Sequence, residues 1–216
     1  LVGSEMCIRD RSWLVSEIEL ACEKHKIIAG LILTVSRGDC APEHLRSLLS
    51  AYENLGRPST VVGLDLAGNE NIESPIETGS LFLHAKDKYE LKVTIHAGET
   101  GRVENITSAV YEFGADRIGH GTAASKSVEV MDLLKHRDIC VEVCPISNKL
   151  TSAVNESQPH PVVDFIANEV PFVICSDNPS IHLSDLTKDY IEFYRETRSS
   201  QPVSYTHLRA HETSRY

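Results

Sequence analysis

Between Trp13 and about Gln201 the chain alternates short apolar runs with longer stretches in which apolar and polar positions interleave. The runs cover residues 27–35 (IIAGLILTV), 60–66 (TVVGLDL), 91–96 (LKVTIH), 117–120 (RIGH), 139–144 (ICVEVC) and 171–175 (PFVIC). They are rich in Val and Ile and bounded by Gly, Pro, Asn or Asp. That pattern predicts strands buried on both faces, as in a parallel sheet. The intervening stretches predict helices over 15–26, 42–54, 77–88, 103–113, 128–135, 161–168 and 183–194. Pro42 falls near a first turn, and Ser127 and Ser184 are suited to N-cap positions.

Strand followed by helix, repeated, implies right-handed parallel crossovers. An open doubly wound sheet and a closed (β/α)8 barrel both satisfy this. What separates them is where the reactive residues fall. Asp65 and Gly68, His96 and Glu99, His120, residues 145–148, and Asp177 with Asn178 all follow strands directly. In a barrel every strand's C-terminal end opens on one mouth, whereas an open sheet gathers only the loops near its switch point. The expected fold is therefore α/β, a partial (β/α)8 TIM-type barrel with about six of its eight strand-helix units.

Composition narrows the partners. Hydrophobic residues make up 41% and charged residues 24% of the 216, which is ordinary for a globular domain. A formal net charge of -10 opposes non-specific binding to nucleic acid or to an anionic membrane. No apolar run is long enough for a membrane span, and no signal peptide is visible. The six cysteines, Cys7, Cys22, Cys40, Cys140, Cys144 and Cys175, form no CxxC pair. They read as buried free thiols in a reducing, cytoplasmic compartment. The sequons at Asn105 and Asn155 add little to a secreted alternative.

The ends differ from the middle. Residues 1–11 (LVGSEMCIRDR) and 203–216 (VSYTHLRAHETSRY) lack either period and resemble translated adaptor sequence, so they are expected to be non-native. His207 and His211 have metal-chelating spacing within that tail, but a foreign or disordered tail is the favoured reading. Residues 12–202 carry the expected domain.

Four segments carry candidate chemistry. In HAGE, His96 at a strand end is a neutral imidazole suited to zinc and Glu99 follows a small turn, placed for acid-base work; a capped loop with a satisfied histidine is the alternative. In RIGHGT, His120 lies between Gly119 and Gly121, which permit close approach of a ligand, although the motif alone favours a structural histidine in a Gly-rich turn. In SDNP, Asp177 ends an apolar strand and calls for a metal, a helix N-terminus or an arginine, while Asp177 or Asn178 could equally cap a turn. In GLDLAGNE, Gly68 offers a backbone N–H or simply makes a turn.

Taken in order, DLAGNE, HAGE, RIGHG, EVCPISN and SDNP at successive strand ends resemble the adenosine deaminase family of metallo-dependent hydrolases. The resemblance implies a (β/α)8 barrel with one zinc at its mouth, held by an HxH pair, the HAGE histidine and the last-strand Asp. His96 and Asp177 would then be metal ligands. No two of the ten histidines have HxH spacing, so the chain reads as a C-terminal fragment carrying at most half of the metal's ligands. By the same resemblance Glu99 protonates purine N1. His120 and Asp177 orient and deprotonate the attacking water, Gly68 N–H meets purine N3, and Asn178 faces N7 where the family usually has Asp. The product is inosine with ammonia.

Two other readings remain open at this point. One is deamination of adenine, a purine nucleotide or another aminopurine, although no basic cluster suited to a phosphate is visible. The other is an inactive binding or growth-factor-like protein, against which Glu99, His120 and Asp177 all stand.

Overall fold

A computed structural model describes residues 8–155 and 157–198. The expected non-native tail 203–216, with His207 and His211, lies outside them, as do Cys7 and the start of the 1–11 segment. The chain divides into two compact units, one ending at Val93 and the other beginning at Thr94.

The first unit contains α1 (Ile8–His25), β1 (Leu31–Ser36), α2 (Ala41–Asn54), β2 (Val61–Ala67) and α3 (Glu77–Tyr89). β1 and β2 pair in parallel. Pro42 sits in the first turn of α2, where its missing N–H leaves no hydrogen bond unmade. Val35, Leu45, Leu64, Leu66 and Phe82 are fully buried and form the core.

β1 departs from the expected pattern. The strand begins at Leu31, and residues 27–30 stay outside it. Its burial alternates, and Ile27, Ile28 and Ile32 are exposed. Among the described residues β1 pairs with β2 alone. Helix α1 begins at Ile8, upstream of the predicted 15–26 and inside the segment set aside as foreign.

The second unit carries β3 (Lys92–Ala97) from Thr94 onward, then α4 (Val103–Tyr111), β4 (Arg117–His120) and a 3-10 turn over Thr122–Lys126. There follow α5 (Val128–His136), β5 (Cys140–Val143), α6 (Pro145–Leu150), α7 (Val162–Ala167), β6 (Phe172–Ile174), α8 (Pro179–His182) and α9 (Leu186–Thr197). β3, β4, β5 and β6 pair in parallel in chain order. These strands are almost continuously buried, as their sequences predict. Ile95, Ile106, Ile118, Leu134, Phe165 and Phe193 close the core.

Ser127 caps α5 as expected, its Oγ accepting from Val130 N at 3.3 Å. Ser184 does not cap α9. Asp185 takes that position, its carboxylate accepting from Lys188 N at 2.9 Å, and a carboxylate is the stronger acceptor for the helix's free N–H groups. Six strands alternating with helices, all pairing parallel within their units, make an α/β fold of partial (β/α)8 type.

The cysteine reading needs one correction. Cys140 and Cys144 are buried, but Cys40 is exposed and Cys22 and Cys175 are intermediate. Cys40 precedes α2 at the surface and does not lie in a strand. No described helix is long and apolar enough to cross a membrane.

Candidate active site

The second unit brings together the side chains of HAGE, RIGHGT and the loop after β5. His96 is the penultimate residue of β3, opposite Gly119 on β4. A Cβ at Gly119 would stand 3.2 Å from His96 Cα and Cγ and 3.3 Å from Nδ1, so the missing side chain makes the room that the imidazole fills. The His96 and His120 rings lie 5.3 Å apart, tilted by 60°. Glu99 follows the Ala97-Gly98 turn, and its Oε2 is 3.9 Å from His120 Nε2.

His120 is 4% exposed and has a positive φ of 62°. Asp177 shares this left-handed backbone, with φ 51°. Most other non-glycine residues of that kind end helices, where such a turn is ordinary. At His120 it closes β4, and at Asp177 it comes three residues after β6, placements typical of functional residues.

Asp177 Oδ2 accepts a 2.6 Å hydrogen bond from Ser147 Oγ. Ser147 lies on α6, directly before Asn148, whose amide bridges two histidines. His120 Nδ1 is 2.9 Å from the Asn148 amide, and His160 Nε2 is 3.1 Å from it on the other side. Ser147 and Asn148 fall in the 145–148 stretch that the sequence places after a strand without assigning either a role, and His160 was not among the sequence candidates. The Ser-Asn pair inside EVCPISN, directly after a buried strand, was the available signal for the first two. His160 offered only a His-Pro step.

Lys149 on α6 pairs with Glu192 and Glu196 of α9. Glu196 also accepts from His160 N at 3.2 Å. Burial pushes the His160 pKa down from 6.5 to about 4, against the raising effect of Glu196. Nearby, Cys144 is held far above the usual thiol range by a hydrogen bond with Cys175 and by burial.

Asn178 is exposed and caps α8, its Oδ1 accepting from Ile181 N at 3.4 Å. The capping alternative is therefore the contact observed for Asn178. Gly68 belongs to the first unit, just beyond β2, with φ 100°, and a Cβ there would stand 3.5 Å from Arg37 N.

His96 and Asp177 supply an imidazole and a carboxylate, both donor types that zinc accepts. Among the described residues no group of three or more His, Cys, Asp or Glu side chains is placed to hold a metal ion. The chemistry of the two donors fits zinc, and a four-coordinate site requires further ligands.

The sequence model of the family described as adenosine deaminase matches residues 13–204. The chain belongs to the adenosine deaminase family. It is 37% identical over 164 residues to an adenosine deaminase of Clostridium kluyveri, a match covering 76% of this chain and 46% of that protein. The chain thus spans about half the length of the curated relatives it matches. Among solved structures, the N6-methyl-AMP deaminase of Arabidopsis thaliana superposes with a TM-score of 0.70 at 27% identity, over 87% of this chain and 53% of that one. An amidohydrolase of Burkholderia ambifaria with bound Zn superposes with a TM-score of 0.78 over 88% of this chain and 52% of that one; at 20% identity that likeness concerns the fold.

Proposed function

We propose that this chain supplies the acid, the imidazole and part of the metal site of an enzyme that hydrolyses the 6-amino group of a purine nucleoside, turning adenosine into inosine and ammonia. The observation that carries the reading is the position of His120, between the Glu99 carboxyl on one ring nitrogen and the Asn148 amide on the other, with His96 against its face. Hydrolytic deamination needs a proton donor to the ring, a group to orient and deprotonate water, and a preorganised pocket.

His96 and Asp177 would hold zinc, which when bound supplies a Lewis acid that activates water near neutral pH. Glu99 gives a proton to purine N1 and makes C6 electrophilic. Between them His120 and Asp177 orient the water and provide for removal of its proton as oxygen bonds to C6. The proton taken from the water passes to the amino group, the second O–H proton returns to Glu99, and the C6–N bond breaks to release ammonia. An Asn178 amide N–H2 can donate directly to an unprotonated purine N7.

A 6-aminopurine nucleotide is the second candidate substrate, favoured by the likeness to the Arabidopsis deaminase at 27% identity.

The test is ammonia release from adenosine and from AMP by a complete polypeptide carrying this sequence, with and without a zinc chelator. Glu99→Gln is expected to lower turnover by roughly 10²–10⁴-fold with zinc content unchanged. Near-normal turnover in that variant would remove Glu99 from the acid role. The 216-residue chain alone is expected to bind zinc weakly and to leave adenosine intact, and robust deamination by it would contradict this.

A further inference from the structure

The buried pair His120 and His160, joined through Asn148, contains a proton-placement problem with one solution. Val162 N–H donates to His160 Nδ1 at 3.1 Å. A backbone N–H is only ever a donor, so Nδ1 carries the lone pair. The ring is 1% exposed, and burial keeps it neutral at physiological pH. Its single proton therefore sits on Nε2 and points at the Asn148 amide, 3.1 Å away.

An N–H must meet an oxygen. With the amide nitrogen toward His160, two donors would face each other in a site where Asn148 is fully buried. Leaving such groups unsatisfied costs about 1–3 kcal/mol. A half-turn of the amide exchanges its oxygen and nitrogen in place, and hydrogen bonding decides which orientation is populated. The turned amide gives its oxygen to His160 and its NH2 to His120 Nδ1, at the same 2.9 Å spacing. His120 Nδ1 must then accept, and the proton of the neutral ring lies on Nε2. Independently, Nε2 is the nitrogen that faces the Glu99 carboxyl, Oε2 at 3.9 Å, a group whose oxygen can accept from an N–H.

We propose that His160, acting through the Asn148 amide, is a positioning residue that fixes His120 as its Nε2–H tautomer, so that His120 presents a donor rather than a base toward Glu99. If the deaminase reading holds, this divides the labour within it. His120 Nε2–H donates to the attacking oxygen, and the proton of the water goes to the Asp177 carboxylate. The tautomer itself does not depend on that reading.

The experiment is side-chain nitrogen NMR of the isotope-labelled 216-residue chain at neutral pH without added metal, with His120 assigned by loss of its signals in His120→Asn. Both His120 and His160 are expected to show a pyrrole-type Nε2 and a pyridine-type Nδ1. A pyrrole-type Nδ1 at His120 overturns the proposal. Asn148→Asp provides the second arm, because a carboxylate only accepts. The proton of His120 is expected to move to Nδ1, exchanging its two signal types, while His160 keeps its own. An unchanged His120 pattern in Asn148→Asp would show that the relay does not set the tautomer. Absence of deaminase activity in the complete polypeptide would leave both spectra as expected, so the two readings fail separately.

Discussion

Ser147 Oγ donates a 2.6 Å hydrogen bond to Asp177 Oδ2, tying the first turn of α6 to the loop that follows β6. The contact occupies one carboxylate oxygen and aims the other. Partners of this kind orient a metal-ligating carboxylate, and their loss lowers metal affinity by roughly 10–100-fold. Ser147→Ala is accordingly expected to weaken zinc binding by about 10-fold or more in the complete enzyme, measured by competition with a chromogenic chelator. Unchanged affinity would mean that Asp177 is oriented by something else or is not a ligand.

Gly119 makes a second such test. A methyl group there would press on the His96 Cα, Cγ and Nδ1 at 3.2–3.3 Å, inside a paired strand that cannot move aside. Gly119→Ala should displace the imidazole and cost about 1–3 kcal/mol of stability through overpacking. The urea midpoint reads the stability, and zinc affinity reads the displaced ring. A variant with both unchanged would show that the His96 ring has room that the backbone positions do not suggest.

How far the sequence reaches is visible in these same residues. The placement of Glu99 beside His120 is legible because each sits in a short motif at the end of a buried strand, and neighbouring strand ends open on the same side of the sheet. Strands 2 to 6 are legible for the same reason: continuous apolar runs have few alternatives. The partners behind the site are not legible. His160 meets Asn148 across a loop and a helix start, and nothing in a His-Pro step distinguishes a buried histidine from a surface one. β1 misled in the other direction, since an apolar run reports what a segment could bury and not which neighbours are there to cover it. Asn178 shows a third limit. Capping and ligand contact call for the same residue types in the same place, and only the bond to Ile181 N shows which is made.

The thiols separate by burial. Cys40 is exposed, whereas desolvation pushes Cys140 up to about 12. Since the thiolate is the reactive form, iodoacetamide at neutral pH should label Cys40 readily and leave Cys140 and Cys144 protected until the protein unfolds. Peptide mass spectrometry over a labelling time course checks this. Early labelling of Cys140 would mean that β5 opens locally on the time scale of the reaction.

His160 predicts an acid weakness. Its pKa is about 4 in the folded chain against 6.5 for the free side chain, because the buried ring resists charge. Between those values the unfolded chain binds a proton that the folded chain refuses. Stability from this residue is therefore complete above about pH 6.5 and is lost as pH falls toward 4. For a difference of ~2.5 pH units the full loss is on the order of 3 kcal/mol. The carboxylates of the protein add their own acid dependence, so the informative quantity is a difference between variants. His160→Gln should be less stable than the parent at pH 7, and its urea midpoint should fall less steeply between pH 7 and pH 5. Parallel pH profiles for the two proteins would mean that the His160 ring takes up its proton in the folded state at the same pH as in the unfolded chain. In that case it could not hold a single tautomer against Asn148.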